Sequence, residues 1–211
     1  TIAIVLNLFY DYEGQKQDLI RYMRETENQL QILLCELAAY LHNKDMEINV
    51  WDRIIAFEGR MHEFIKAAYD YQDNTFHSHP GYYIDYFEMR LAQLQVLHNL
   101  HYEIKKIRKM PKQALVIADY IMYMADYVVE MNIPDQQIEK LEEISEQMKQ
   151  EELPKTREEF EGRALLYHIL MDLEEFLVYK KRFVNGLDEK KLRIYWKQEM
   201  EQKDSANELQ K

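Results

Sequence analysis

Two histidines and a stripe of polar side chains stand at helical spacing. His98 and His101 are i and i+3 within the stretch 82–106, and Glu161, His168, Asp172 and Glu175 line one edge of the stretch 154–183, with Tyr179 completing it. Residues three or four apart share one face of a helix, so the histidine pair could ligate a metal together or accept carboxylate partners from another helix. A polar stripe on an otherwise apolar helix needs partners when buried. The spacing therefore predicts an internal groove in which His168, Asp172 and Glu175 meet His98 or His101. In that arrangement the histidines should titrate above their ordinary value. The competing reading makes His98 and His101 hydrogen-bonded core histidines, and the residues alone leave both open.

Other chemistry is weakly supported. His77 and His79 lie in the polar run 73–81, with no acidic or thiol side chain beside them to complete a metal site. The one cysteine, Cys35, excludes an intramolecular disulfide and fits a reducing compartment. Its place within an apolar helical pattern suits a small buried residue rather than a low-pKa nucleophile. No Glu stands three residues before a His, as a di-iron carboxylate bundle requires, and no glycine-rich phosphate loop is present. Asp119, Asp126, Asp172 and Glu175 could together offer oxygen ligands to a metal. No metal or cofactor is assigned from the sequence.

The elements that position these residues are helices. The stretch Pro154 to Phe183 opens with Thr156 and Glu159 as a capping box and with Pro154 keeping the preceding chain extended. At 100° per residue Leu165, Leu166, Ile169, Leu170, Leu173, Phe176 and Leu177 cover one broad side, which Phe160, Ala164, Tyr167 and Met171 extend. So wide an apolar surface predicts the central helix of the fold, covered on several sides. Further helices are expected over 17–42, 50–71, 82–106, 114–129 and 134–150, and a last one follows Asp188. The segment 114–129 is nearly uncharged, but Asp119 and Asp126 each oppose membrane insertion by about 2.5–3.5 kcal/mol, so it reads as a buried bundle helix with both aspartates on one face. The expected fold is all-α, an antiparallel bundle of about six to seven helices.

Composition agrees. With 5 Gly and 4 Pro in 211 residues, 47% hydrophobic and 31% charged, the chain has few places to turn and enough apolar side chains for one core. A net charge of -11 repels a phosphate backbone and excludes nucleic acid as a partner. Residues 1–10 begin as an apolar run broken by Asn7 and are followed by Lys16, Arg21 and Arg24. They are expected to be the end of a preceding membrane helix, with positive flanks on the inner side, or else an N-terminal stub tucked into the bundle. The bundle domain is expected over 11–185, and an extra C-terminal helix with a polar, disordered tail over 186–211.

Two stretches carry a family resemblance. Pro154, Lys155, Thr156, Arg157, Glu158, Glu159 and Phe160, continuing through Glu161, Arg163–Leu166 and Asp172–Leu177, resemble the C-terminal domain of the putative aromatic acid exporter family of bacterial membrane proteins. Tyr86, Phe87, Glu88, Met89 and Arg90 resemble a second family stretch, and helix order agrees from about Asp11 to Phe183. The resemblance implies a non-catalytic cytoplasmic domain serving assembly or gating, with the membrane-embedded part of the same polypeptide as its partner. A homo-oligomer and an aromatic carboxylate ligand stay open as further partners. Such a ligand would need a cation in an apolar groove, for which His98 with His101, or Arg90, are the candidates. The alternative is a metal- or ligand-binding regulator resembling the helical phosphate-uptake regulators.

Overall fold

The computed structural model describes residues 2–43, 49–74 and 81–196, with side chains from residue 13 onward. Thr1, the loop histidines His77 and His79, and the tail from Glu201 lie outside the described residues. Seven α-helices and no strand are found among the described residues: α1 (Ile2–His42), α2 (Val50–Asn74), α3 (Gly81–Lys106), α4 (Ala114–Ala125), α5 (Asp135–Lys149), α6 (Arg157–Asn185) and α7 (Glu189–Tyr195). The expected all-α bundle is thus present. None of the described helices is long and apolar enough to cross a membrane.

Local signals fix the helix starts. Asn49 accepts from the Asp52 amide at 3.4 Å ahead of α2, Asp188 from the Lys191 amide at 2.7 Å ahead of α7, and Thr156 from the Glu159 amide at 3.1 Å ahead of α6. The return half of the expected capping box differs. The Glu159 carboxylate accepts from the Lys155 amide at 2.9 Å, one residue earlier than the motif prescribes, and is held there by Arg163 at 2.6 Å. α4 ends at Ala125, four residues short of the expected 129, and the chain turns through 126–134 before α5.

Neighbouring helices run antiparallel. Thr26 meets Met61 while Glu36 meets Arg53, which pairs α1 with α2 head to tail. Tyr71 packs on Tyr83 while Trp51 packs on His98, which does the same for α2 and α3. Gln93 reaches the Phe176 carbonyl while Tyr82 meets Phe183, pairing α3 with α6. α4 lies along the last third of α1, and α5 lies against α6. At Gly162 the connection after α3 crosses so closely that an added Cβ would stand 2.9 Å from the Pro111 ring, so glycine sets the approach of α6 to that connection.

The central helix is α3, not α6. α3 packs against α6, α2 and α1 and buries side chains around most of its circumference, including the polar Arg90, Gln93 and His101. α6 packs chiefly on α3 and α5 and makes little contact with α4 or α1. Its outer side faces water: Phe160 is 61% exposed and Met171 63%. The apolar arc on α6 is wider than its neighbours can cover because α4, with 12 residues, is too short to close over it. The seam of Leu166, Ile169, Leu173, Phe176 and Leu177 is buried as expected.

Candidate functional site

The expected polar groove is not formed. Glu161, His168 and Glu175 are exposed on the outside of α6, where Glu161 accepts from Arg157 at 2.9 Å and Glu175 from the Tyr179 hydroxyl at 3.1 Å. Asp172 is half-buried beside them. Burial, then the charges of Glu103 and Glu175, raise its carboxyl to about 6, with His168 opposing. His98 and His101 turn the other way, onto Trp51 of α2, with ring centroids at 4.5 and 6.3 Å. Each residue rotates a helix by about 100°, so Glu103, which faces Asp172, lies about 160° around α3 from His101. The two sets sit on opposite flanks of one helix, which the spacing within either helix could not reveal. His101 is buried, and that burial, followed by Lys105 and His98, lowers its pKa, the reverse of the expected direction. Among the described residues no three His, Cys, Asp or Glu side chains converge as metal ligands, and Asp119, Asp126, Asp172 and Glu175 are not brought together. Asp119 and Asp126 are both exposed, and Asp119 meets His42 at 3.2 Å.

Among the described residues the charged side chains that the fold buries are Arg90 and Lys180. Arg90, in the Tyr86–Arg90 stretch, is 1% exposed. Its Nη1 donates to Gln93 Oε1 at 2.9 Å, its Nη2 lies 3.5 Å from Glu27 Oε1, and its guanidinium sits 5.1 Å over the Tyr86 ring. Arg90 Nε and Nη2 have no hydrogen-bond acceptor. Glu27 also accepts from the Tyr86 hydroxyl at 3.0 Å, and Gln93 Nε2 donates to the Phe176 carbonyl at 2.8 Å. One connected set therefore ties α1, α3 and α6 together at mid-height.

Lys180, also on α6, continues the set outward. Its ammonium donates to the Glu130 carbonyl in the 126–134 turn and lies 5.3 and 5.5 Å from the rings of Phe183 and Trp196. The Glu130 carboxylate accepts from the Tyr82 hydroxyl at 2.5 Å, and that hydroxyl accepts from Trp196 Nε1 at 3.0 Å. Burial pushes the Glu130 carboxyl above its usual range although Tyr82, Lys180 and Arg90 pull it down. Arg90, Gln93, Gln137, Phe176 and Lys180 surround a cavity of about 10 Å3. That is room for a single water, which could accept from Arg90.

Of these residues the sequence reading named Arg90, but it missed Glu27, Gln93, Glu130 and Lys180. A signal existed for the last: Lys180 follows Phe176 by four and precedes Phe183 by three, so a cation occupies a core position of α6. A second, larger hollow of about 700 Å3 opens between α1, α2 and α4 and includes Cys35, Glu36, Arg53 and Asp126. Arg53 is already paired with Glu36 at 2.6 Å, and the remaining charge there is acidic, the wrong sign for an organic anion. Burial, then Asp126 and Glu36, raise the Cys35 thiol, so it stays protonated near neutrality.

Residues 16–181 match the family described as the putative aromatic acid exporter C-terminal domain. The chain is 26% identical over 184 residues to the uncharacterized protein YqjA of Bacillus subtilis (strain 168), covering 86% of this chain and 56% of that protein. It thus spans little more than half the length of this curated relative. The crystal structure of a putative membrane protein from Clostridium difficile 630 superposes with a TM-score of 0.71 at 23% identity, covering 79% of this chain and 97% of the other, a likeness of fold.

Proposed function

This chain belongs to the putative aromatic acid exporter C-terminal domain family, and from that premise we propose that it is the non-catalytic cytoplasmic domain of a membrane exporter, which gates transport through the packing of its helices. The observation that carries this reading is the bonded set joining Glu27 of α1, Arg90 and Gln93 of α3 and the Phe176 carbonyl of α6, with Lys180 of α6 buried on the same small cavity. Apolar side chains would fill those positions at less desolvation cost, whereas an ion pair with directional hydrogen bonds fixes the register of three helices and has alternative arrangements. Direct capture of substrate at Arg90 is disfavoured in this conformation, since a cavity of about 10 Å3 cannot seat an aromatic ring. The partner in this reading is the membrane-embedded part of the same polypeptide, entered through α1, with residues 1–10 leading into a span.

The test is efflux of a panel of aromatic carboxylates from cells carrying the full-length protein, the same protein lacking the bundle, or the full-length Arg90→Met variant. Loss of transport at equal membrane abundance is expected for the truncation, with altered transport for Arg90→Met. Equal efflux from all three would exclude a gating role.

A further inference from the structure

The outward side of α6 carries a second seam. Ala164 stands two and a half turns before the buried Leu173, and so lies diametrically opposite the side that packs on α3. Around it Phe160, Ala164, Tyr167 and Met171 recur at intervals of four, three and four, the spacing by which one helix presents a seam to another. Phe160 and Met171 are left mostly in water, Ala164 is exposed, and Tyr167 is half-buried. Arg157 and Glu174, both exposed, extend the same spacing by three residues at either end. Beside Tyr167 and Met171 the seam borders a hollow of about 260 Å3 between α5 and α6, floored by Ile138, Leu141 and Leu170, with room for a phenyl ring.

The order of these six residues is its own complement. Reversed about a point between Leu165 and Leu166, the seam sets Phe160 level with Met171, Ala164 with Tyr167 and Arg157 with Glu174. A thioether meets a ring, a small residue leaves space for a large one, and a cation meets a carboxylate. The Arg157 guanidinium already meets Glu161 of its own chain at 2.9 Å and has donors left for a second carboxylate. In a parallel pairing each residue would meet itself, arginine on arginine and glutamate on glutamate. The exposed apolar face of α4, with Leu115, Val116 and Met122, has no such complement, because turning it onto itself about its middle sets Asp119 against Asp119. We propose that the outward face of α6 docks a second copy of this chain, as a two-fold pair in which α6 lies antiparallel on α6 and each Phe160 enters the hollow beside Met171 of the other copy. About five turns of helix bury roughly 500 Å2 per copy, short of the 800 Å2 of a standard interface, so the isolated chain should pair with a Kd of about 0.1 mM.

Sedimentation equilibrium of the 211-residue chain, loaded from about 10 μM to about 1 mM, is expected to show a monomer–dimer transition. Arg157→Glu and Glu174→Arg should each weaken it by about tenfold, because each turns two opposite-charge contacts into like-charge ones, and the two changes together should restore it. Phe160→Glu should leave a monomer of unchanged helicity. Cysteine cross-linking in a Cys35→Ala background reads the geometry. Phe160→Cys combined with Met171→Cys should oxidise to a covalent dimer, since the two positions meet across the axis while standing about 16 Å apart along one helix. Either cysteine alone should link about tenfold more slowly or not at all, because like positions of the two copies are offset by that same distance. A chain that is monomeric at a millimolar overturns the proposal, as does a charge exchange that fails to restore the pair. Self-linking of Phe160→Cys alone as fast as the double variant would mean an unordered or parallel contact and overturns it too. A chain that stays monomeric while Phe160→Glu in the full-length protein lowers efflux would give the face to the membrane-embedded part of the polypeptide instead. Dimers in solution together with efflux that ignores Arg90→Met and loss of the bundle would sink the gating reading and leave the pair standing.

Discussion

Replacing Arg90 by Met keeps a long, flexible side chain in place and removes the charge. The structure assigns two losses. Glu27, whose side chain is 16% exposed, loses its ion partner at 3.5 Å but keeps the Tyr86 hydroxyl, so its cost is about 1–2 kcal/mol rather than the full penalty of a stranded buried charge. Gln93 Oε1 loses its donor at 2.9 Å inside the core, for about 1–3 kcal/mol. The gain is the removal of two guanidinium N–H groups that have no acceptor. The net expectation is a loss of about 2–3 kcal/mol in urea unfolding, with an unchanged slope against denaturant. Glu27→Gln combined with Arg90→Met should be less destabilised than the two single changes summed, by at least about 1 kcal/mol, because the double variant, unlike either single one, leaves no charge without its partner. Additive losses, or an Arg90→Met chain as stable as the parent, would refute the claim that these residues act as one set.

Leu173→Ala should cost about 2–5 kcal/mol, since Leu173 is fully buried against α3, whereas Met171→Ala two positions away should fall within about 0.5 kcal/mol; paired thermal melts compare them. Asp172 has a folded pKa of about 6 against an unfolded value of 3.8, so its contribution is fully present below about pH 4 and is lost as pH rises through 6. Asp172→Asn should therefore match the parent in urea titrations at pH 3.5 and exceed it at pH 7.5. The raw shift corresponds to about 3 kcal/mol, which half-exposure reduces to about 1 kcal/mol. Thr156→Ala removes the acceptor of the Glu159 amide and should cost about 1 kcal/mol by the same measurement, while Thr156→Ser should restore it.

Helix number, order and type were legible in the sequence because each helix carries its own periodicity and several carry a cap, as at Thr156 and Asp188. Which helix lies at the centre was not. α6 displays a wider apolar arc than α3, but burial depends on how many neighbours a helix is given, and Phe160 and Met171 are left mostly in water. The site failed to read for the same reason. His98, His101, Asp172 and Glu175 were each correctly placed on a helix face, yet whether two faces meet is decided by the rotation of α3 between α2 and α6. Arg90 and Lys180 carried a local signal, being long cations at core positions of otherwise apolar seams, although only Arg90 was named from it. The partners that hold them, Glu27 and Glu130, lie 63 and 50 residues away in sequence and leave no local mark.

α1 has a mechanical consequence of its own. Tyr22 stacks on Phe64, and the antiparallel register then sets the end of α2 level with about residue 12 of α1, so residues 2–12 overhang by about 16 Å at 1.5 Å per residue. A continuous helix resists twisting, and the overhang is one piece with the segment bearing Glu27. A torque applied to residues 2–12 would turn Glu27 about the same axis, toward or away from Arg90, because one helix runs through both. A rotation of one residue's worth, about 100°, would carry that carboxylate off the α3 seam altogether. In the proposed gating role the overhang would act as a drive shaft, and the Glu27–Arg90 contact would be the tooth it turns.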